Sequence, residues 1–228
     1  MHIVVVDPEP VQAKLLGFIL QEAGHTVTLV PTGTQALATV PAHETAAVLL
    51  DAELPDMTGT DLCKELRARR YSGPMIFVSH RSHRNDKISA FDHGADDYVV
   101  EPYDPQELLA RVDAVVRRCR HADFHPLGTV LKVGEVELSI GELTVRTDLG
   151  REITLTPTEM RILECLMRNS PITISRDTLI ERTWGYDFAV EGNRVDVYIM
   201  RLRKKLEVDP ARPQLLQTVR GIGYVFRG

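Results

Sequence analysis

Met1-His2-Ile3-Val4-Val5-Val6-Asp7 begins the chain. Ile3 to Val6 are all β-branched and apolar, the composition of a strand, and no alternation leaves one face polar. A strand apolar on both faces has to be covered on both, as in a parallel sheet with helices packed on either side. Four more such runs follow at Thr26–Val30, Ala46–Leu50, Met75–Val78 and Asp97–Val100. Segments with helical apolar spacing separate them, at Val11–Ala23, Gln35–Val40, Gly59–Arg70, Asp86–His93 and Pro105–Arg120. Strands and helices alternating in this way predict an α/β domain over residues 1–120, a doubly wound five-stranded parallel sheet.

The pattern changes after Arg120. His121–Gly128 contains Pro126 and Gly128, has no periodicity and reads as a linker. Residues 129–228 read as an α+β domain. Its strands are expected at Val130–Leu138, Glu142–Arg146 and Glu152–Leu155, and its helices at Thr158–Asn169, Arg176–Thr183 and Arg194–Glu207. Thr156-Pro157-Thr158-Glu159 carries the spacing of a capping box with proline at the helix start. Leu216–Val219 and Tyr224–Arg227 flank Arg220-Gly221-Ile222-Gly223 and predict a terminal β-hairpin.

The 228 residues are 43% hydrophobic and 26% charged, an ordinary globular composition. No apolar run approaches the roughly 18 residues of a membrane span, so no membrane partner is expected. The first residues lack the basic start and cleavage site of a signal peptide. Cys63, Cys119 and Cys165 form no CxxC pair, which points to a reducing, cytoplasmic setting and inert thiols, with Cys119 the one beside the linker. Met1–His121 carries 12 basic and 17 acidic residues, and Ala122–Gly228 carries 15 of each. Within Arg194–Arg227, eight basic residues face three acids, a net of +5. A concentrated basic segment is a lead toward nucleic acid, against the plainer reading of a solvated helix face.

In an open parallel sheet, ligands sit beyond the carboxyl ends of the strands. Asp7 and Glu9 follow the first run, Asp51 the third, Ser79 the fourth and Glu101 the fifth. A lone acid there is ordinary loop polarity, but groups from four strand ends make an acidic pocket of Asp7, Glu9, Asp51 and Glu101 the better reading. Crowded carboxylates raise one another's pKa or attract cations. The basic loop Ser79-His80-Arg81-Ser82-His83-Arg84 lies in the next connection, so Arg81 or Arg84 is expected to pair with Glu101 or Asp51. No helical HxxxH spacing supports a metal centre.

Two segments of this half resemble receiver domains. Leu49-Leu50-Asp51-Ala52-Glu53-Leu54-Pro55-Asp56-Met57-Thr58-Gly59 is similar to their phospho-acceptor segment, and Gly94-Ala95-Asp96-Asp97-Tyr98-Val99-Val100-Glu101-Pro102-Tyr103 to their fifth strand. Val195-Asp196-Val197-Tyr198-Ile199-Met200-Arg201-Leu202-Arg203-Lys204-Lys205-Leu206 and Arg220-Gly221-Ile222-Gly223-Tyr224 resemble the winged-helix effector of OmpR/PhoB-type response regulators. The resemblance covers essentially the whole chain. It implies a flavodoxin-like receiver, a winged helix-turn-helix domain, and a transcriptional regulator rather than an enzyme.

It also implies roles for particular residues. Asp51 is the phospho-acceptor position, and Ser79 and Tyr98 are the switch positions. Dimerisation would use the fourth helix, fifth strand and fifth helix, through Lys87 with Glu107, Asp97 with Arg111, and Asp96 with Arg117 or Arg118. A homodimer would bind direct repeats of double-stranded DNA. RNA polymerase could meet the loop at Trp184, unless that aromatic caps the core, and a sensor kinase would act upstream. Two departures bear on the switch. Pro8 stands where such receivers have a second acid, so Mg²⁺, if bound, would rest on Asp7, Glu9 and Asp51; otherwise no cofactor is expected. Glu101 stands where they have a lysine, which reverses the charge beside the phosphoryl group. The expectation is a receiver that dimerises with little or no dependence on phosphorylation. The alternatives are a conventional kinase-driven switch and a receiver whose pocket binds a ligand or partner.

On the helix from Arg194, residues Val195, Tyr198, Ile199, Leu202 and Leu206 recur at helical spacing and form a buried stripe. Arg194, Val197 and Arg201 are expected nearest the DNA bases, and Arg203, Lys204 and Lys205 on phosphates. Arg220, with Gly221 allowing close backbone approach, is expected to reach a minor groove.

Overall fold

The computed structural model describes residues 1–40, 45–123, 129–147, 150–184 and 194–228, with the side chains of 118–123 and of 194 outside that description. The chain divides into two compact units, Met1–Arg117 and Arg118–Gly228.

The first unit is the predicted sheet. Strands β1 (His2–Val6), β2 (Thr26–Val30), β3 (Ala47–Leu50), β4 (Met75–Ser79) and β5 (Asp97–Val100) lie in the order β2-β1-β3-β4-β5. Every neighbouring pair is parallel, with Val5 in register with both Leu29 and Leu49. Ile3, Val4, Val5 and Val6 are each at most 1% exposed, as an unalternating strand covered on both faces requires. Helices α1 (Pro10–Glu22), α2 (Gly33–Thr39), α3 (Gly59–Ala68), α4 (Arg84–Asp92) and α5 (Pro105–Asp123) form the connections and cover the sheet. Thr58 starts α3 by accepting the Asp61 N–H at 3.1 Å. Helix α5 continues past the predicted end at Arg120, so the predicted linker begins as helix, and 124–128 lies outside the described residues.

In the second unit the predicted strand Val130–Leu138 is two strands, β6 (Val130–Val133) and β7 (Val136–Ser139). The mixed apolar and charged stretch hides a turn at Gly134, whose φ of +58° a side chain would resist. With β8 (Thr144–Arg146) and β9 (Glu152–Thr154) they form an antiparallel sheet. Helices α6 (Pro157–Arg168), α7 (Arg176–Trp184) and α8 (Arg194–Leu206) follow. Thr156 and Glu159 close both halves of the capping box that opens α6. Strands β11 (Leu216–Val219) and β12 (Gly223–Phe226) form the predicted hairpin. A two-residue strand, β10 (Ile174–Ser175), was not legible in the sequence and pairs with β12. A Cβ at Gly223 would collide with the Ile174 carbonyl, so this contact needs a glycine. Among the described residues no helix is long and apolar enough to cross a membrane.

Candidate functional site

The carboxyl edge of the first sheet gathers the predicted acids. Asp7, immediately after β1, is 6% exposed and accepts the Glu9 N–H at 2.8 Å. Burial pushes its carboxyl up to about 6; the Glu9 hydrogen bond opposes this, and the nearby charges of Asp51, Glu101 and Glu9 add to it. Asp51 is half-buried after β3 and accepts its neighbour Ala52's N–H at 2.6 Å. Its carbonyl lies where a Cβ on Gly59 would have to go, which ties the start of α3 to the acid. Glu101, with a side chain 10% exposed, accepts from the Gln12 amide and lies 2.6 Å from Nδ1 of His80. Tyr103 is pushed up to about 12, by burial first and then by Glu101 and Asp7. Glu9 is exposed and caps α1 without a side-chain hydrogen bond.

These residues do not fit Mg²⁺. The ion needs several oxygens in near-octahedral geometry, and Pro8 offers no side-chain oxygen. Asp7 and Asp51 each commit one oxygen to a backbone N–H. Among the described residues no group of three or more His, Cys, Asp or Glu side chains could hold a metal ion, so the expected set Asp7, Glu9 and Asp51 is not assembled.

The pairing expected of the basic loop is also overturned. Arg81 bonds Glu53 in the β3–α3 connection and approaches Asp86 at 3.5 Å, while Glu101 is held by Gln12 and His80. The backbone explains the direction, because the Tyr98 hydroxyl donates to the Arg81 carbonyl at 2.8 Å and fixes the loop there. Arg84 is exposed as the first residue of α4. No Lys or Arg side chain of the described residues bonds Asp7, Asp51 or Glu101. The switch positions are inside. Ser79 is 2% exposed and Tyr98 4%, with the Tyr98 ring stacked on Phe77 at 5.6 Å.

The predicted dimer face spans α4, β5 and α5. Arg111 bonds Glu107 at 2.7 Å and approaches Asp97 at 3.5 Å within the same chain, and Lys87 is half-buried. Asp96 departs from its expected place on the surface. It is 1% exposed, 2.7 Å from Arg67 and accepting the Met75 N–H at 3.0 Å. Arg67 simultaneously donates to the carbonyls of Tyr71, Gly73 and Gly94. Asp96 is thus an internal anchor between β5 and the α3–β4 connection. Arg117 is exposed, and the side chain of Arg118 lies outside the described residues.

In the second unit, the stripe Val195, Tyr198, Ile199, Leu202 and Leu206 on α8 is buried as predicted. Three of the expected DNA contacts are not on the outer face. The Arg201 side chain is 8% exposed, 3.2 Å from one oxygen of Glu159, and lies over the Tyr198 ring. Lys205 reaches the other Glu159 oxygen at 2.7 Å and the Thr154 carbonyl at 3.0 Å. Arg203 donates to the Leu216 carbonyl at 2.8 and 2.6 Å and to Thr218 at 2.8 Å. The cause is an acid on another element. Arg201 and Lys205 are one turn apart, and both reach the fully buried Glu159 of α6. Val197, Met200 and Lys204 remain outward, with Met200 38% exposed. Met200 was missed, although it stands three positions after Val197 on the same face. Arg220 is exposed at the hairpin tip as predicted, where Gly221 has φ +76° and Ile222 is 55% exposed. The Arg194 side chain lies outside the described residues.

Tyr224 and Arg176 brace the hairpin against α8. The Tyr224 hydroxyl donates to Asp196 at 2.6 Å, and Arg176 lies 3.0 Å from the same oxygen. Trp184 is 4% exposed and packs against Tyr198, so it caps the core; residues 185–193 lie outside the described residues. Cys63 is buried, neither it nor Cys165 is in a disulfide, burial pushes the Cys165 thiol up, and the Cys119 side chain lies outside the described residues.

Comparison with known proteins agrees with both halves. Residues 3–113 match the response regulator receiver domain family, and residues 150–226 match the family described as transcriptional regulatory protein, C terminal. The sensory transduction protein RegX3 of Mycobacterium tuberculosis is 42% identical over 226 residues, covering 99% of both chains. The DNA-binding response regulator MtrA of Mycolicibacterium smegmatis is 39% identical over 224 residues, covering 98% of this chain and 95% of MtrA. The solved structure of a mutant RitR superposes with a TM-score of 0.83 at 28% identity, covering 100% of this chain and 99% of that one.

Proposed function

We propose that this chain, which belongs to the response regulators built from a receiver domain and a DNA-binding C-terminal domain, binds specific DNA as a homodimer with little use of phosphate on Asp51. One observation carries the phosphate-independent part: Glu101, held by Gln12 and His80, stands beside Asp7 and Asp51, and among the described residues no Lys or Arg is bonded to any of the three. A phosphoryl group carries roughly −1.5 to −2 charges at neutral pH, and its transfer depends on cations that neutralise that charge. Here it would enter a site whose carboxylates already repel one another. The charged face of α4, β5 and α5, without the buried Asp96, is left to make the dimer; Lys87 with Glu107 would occur twice across a two-fold axis, while Arg111 already meets Asp97 and Glu107 within its own chain. The receiver is assigned to residues 1–120 and the effector to 129–228.

Light scattering after size exclusion, with and without Mg²⁺ and beryllofluoride, tests the dimer. The expected result is a dimer in both samples; a monomer that assembles only with the mimic overturns the reading.

For DNA, the reading places α8 in a major groove through Val197, Met200 and Lys204, with Arg194 at the helix start and Arg220 at the adjacent minor groove. Lys204→Ala and Arg220→Ala should each lower the slope of log affinity against log salt by about 1. Arg201→Ala should instead lower the melting temperature. Equal slopes for Lys204→Ala and the parent protein would remove Lys204 from the interface.

A further inference from the structure

A cavity of about 470 Å³ opens between α1 and the β5–α5 connection. It adjoins the acidic edge and shares Glu101 and His80 with it. Leu15 and Ile19 of α1 supply an apolar wall, Tyr103 an aromatic one, and the polar groups at its rim are Gln12, His80 and Glu101. Its volume falls within the roughly 300–1,000 Å³ of small-molecule sites, and an apolar lining with a few convergent polar groups is their usual composition.

The charge of the lining is one-sided. Glu101 is the carboxylate of the cavity, and its side chain is 10% exposed. Asp7 and Asp51 are near it: burial first, and then the charges of Asp51, Glu101 and Glu9, push the Asp7 carboxyl up. Among the described residues the cationic partner within ion-pair distance of Glu101 is His80, whose side chain is 81% exposed and can turn into water. A buried carboxylate is costly unless it is paired or hydrogen-bonded. A carboxylate next to an aromatic ring is also the pairing that recognises ammonium groups.

We propose that this cavity binds an organic ammonium with an apolar body. The cation would take the place of the His80 imidazole on Glu101, and the body would lie against Leu15, Ile19 and Tyr103. The inference goes beyond the DNA-binding reading and does not depend on it, because its test measures ligand uptake alone.

The test is isothermal titration calorimetry on the full chain with 2-phenylethylamine, 2-phenylethanol and 3-phenylpropionate, which share a shape and differ in charge. The amine should bind at least ten times more tightly than the alcohol, and the acid should give no heat. Glu101→Gln, which keeps the shape of the side chain, should abolish the preference for the amine. His80→Ala alters an exposed side chain and should tighten amine binding a few-fold by removing the competitor. The proposal is overturned if the amine binds no better than the alcohol, if its preference survives Glu101→Gln, if His80→Ala weakens it, or if no heat appears at millimolar amine.

Discussion

Glu159→Ala is expected to destabilise the C-terminal unit by about 3–5 kcal/mol, the cost of removing one partner from a buried charge network. Glu159 is fully buried, and its two oxygens hold Arg201 at 3.2 Å and Lys205 at 2.7 Å. One of them also accepts the Thr156 N–H at 2.8 Å, so the same change opens the capping box of α6. Arg201 would be left 8% exposed with no counter-charge, whereas Lys205, 32% exposed, can turn toward water. Urea unfolding followed by Trp184, the chain's one tryptophan, reads this unit directly. Glu159→Leu combined with Arg201→Leu should recover much of the loss, because no charge is then stranded. An unchanged midpoint in Glu159→Ala would show that the network contributes nothing.

The same acid gives the stability a pH dependence. Burial pushes the Glu159 carboxyl up, but Arg201, Lys205 and the Thr156 N–H more than reverse this and hold it below the ordinary 4.5. A carboxyl depressed on folding contributes stability that is complete above that value and is lost as pH falls through the folded one. The difference between the parent protein and Glu159→Ala should therefore be constant near neutrality and shrink below about pH 4.5.

The second large effect is a gain. Pro8→Asp together with Glu101→Lys should raise the labelling of Asp51 by acetyl phosphate, in Mg²⁺, by about thirty-fold to several thousand-fold. That is the range spanned by restoring one buried charge partner at roughly 2–5 kcal/mol. The lysine supplies a fixed cation and the aspartate a second metal oxygen, the two neutralising elements that phosphoryl transfer depends on. Glu101→Lys alone should fall between. Intact-protein mass spectrometry counts the added phosphoryl group, and Asp51→Asn in the double variant should abolish it. Parent protein that labels as fast as the double variant would mean that the carboxylates of this edge are no obstacle.

Most of the fold was legible because it is written in local periodicity. Ile3–Val6 could only be a strand covered on both faces, and the stripe from Val195 to Leu206 could only be one side of a helix. The errors came from short elements and from long-range partners. Gly134 is a single residue inside a stretch of strand-like alternation, and β10 has two residues, too few for any pattern. Arg201 and Lys205 read as outward by their position on the helix, but Glu159, far away in sequence, draws both inward. Asp96 was misplaced for the same reason, since its partner Arg67 lies far away in sequence on α3. At the acidic edge, the identities of the charged groups were legible and their pairing was not. Arg81 takes Glu53 because the Tyr98 hydroxyl holds its backbone, a contact no spacing in the sequence encodes.

The inward turn of three α8 cations also bears on how the protein finds its target. Attraction to arbitrary DNA grows with the number of phosphates a surface neutralises, because each releases counterions. By formal count the segment Arg194–Arg227 carries +5, yet Arg201 and Lys205 share the single negative charge of Glu159, and Arg203 is turned onto the Leu216 carbonyl of β11. The helix therefore offers the double strand a smaller charge than its composition announces. Dwell times on random sequence should be correspondingly short, and the search for a site should proceed more by repeated encounters from solution than by long one-dimensional sliding.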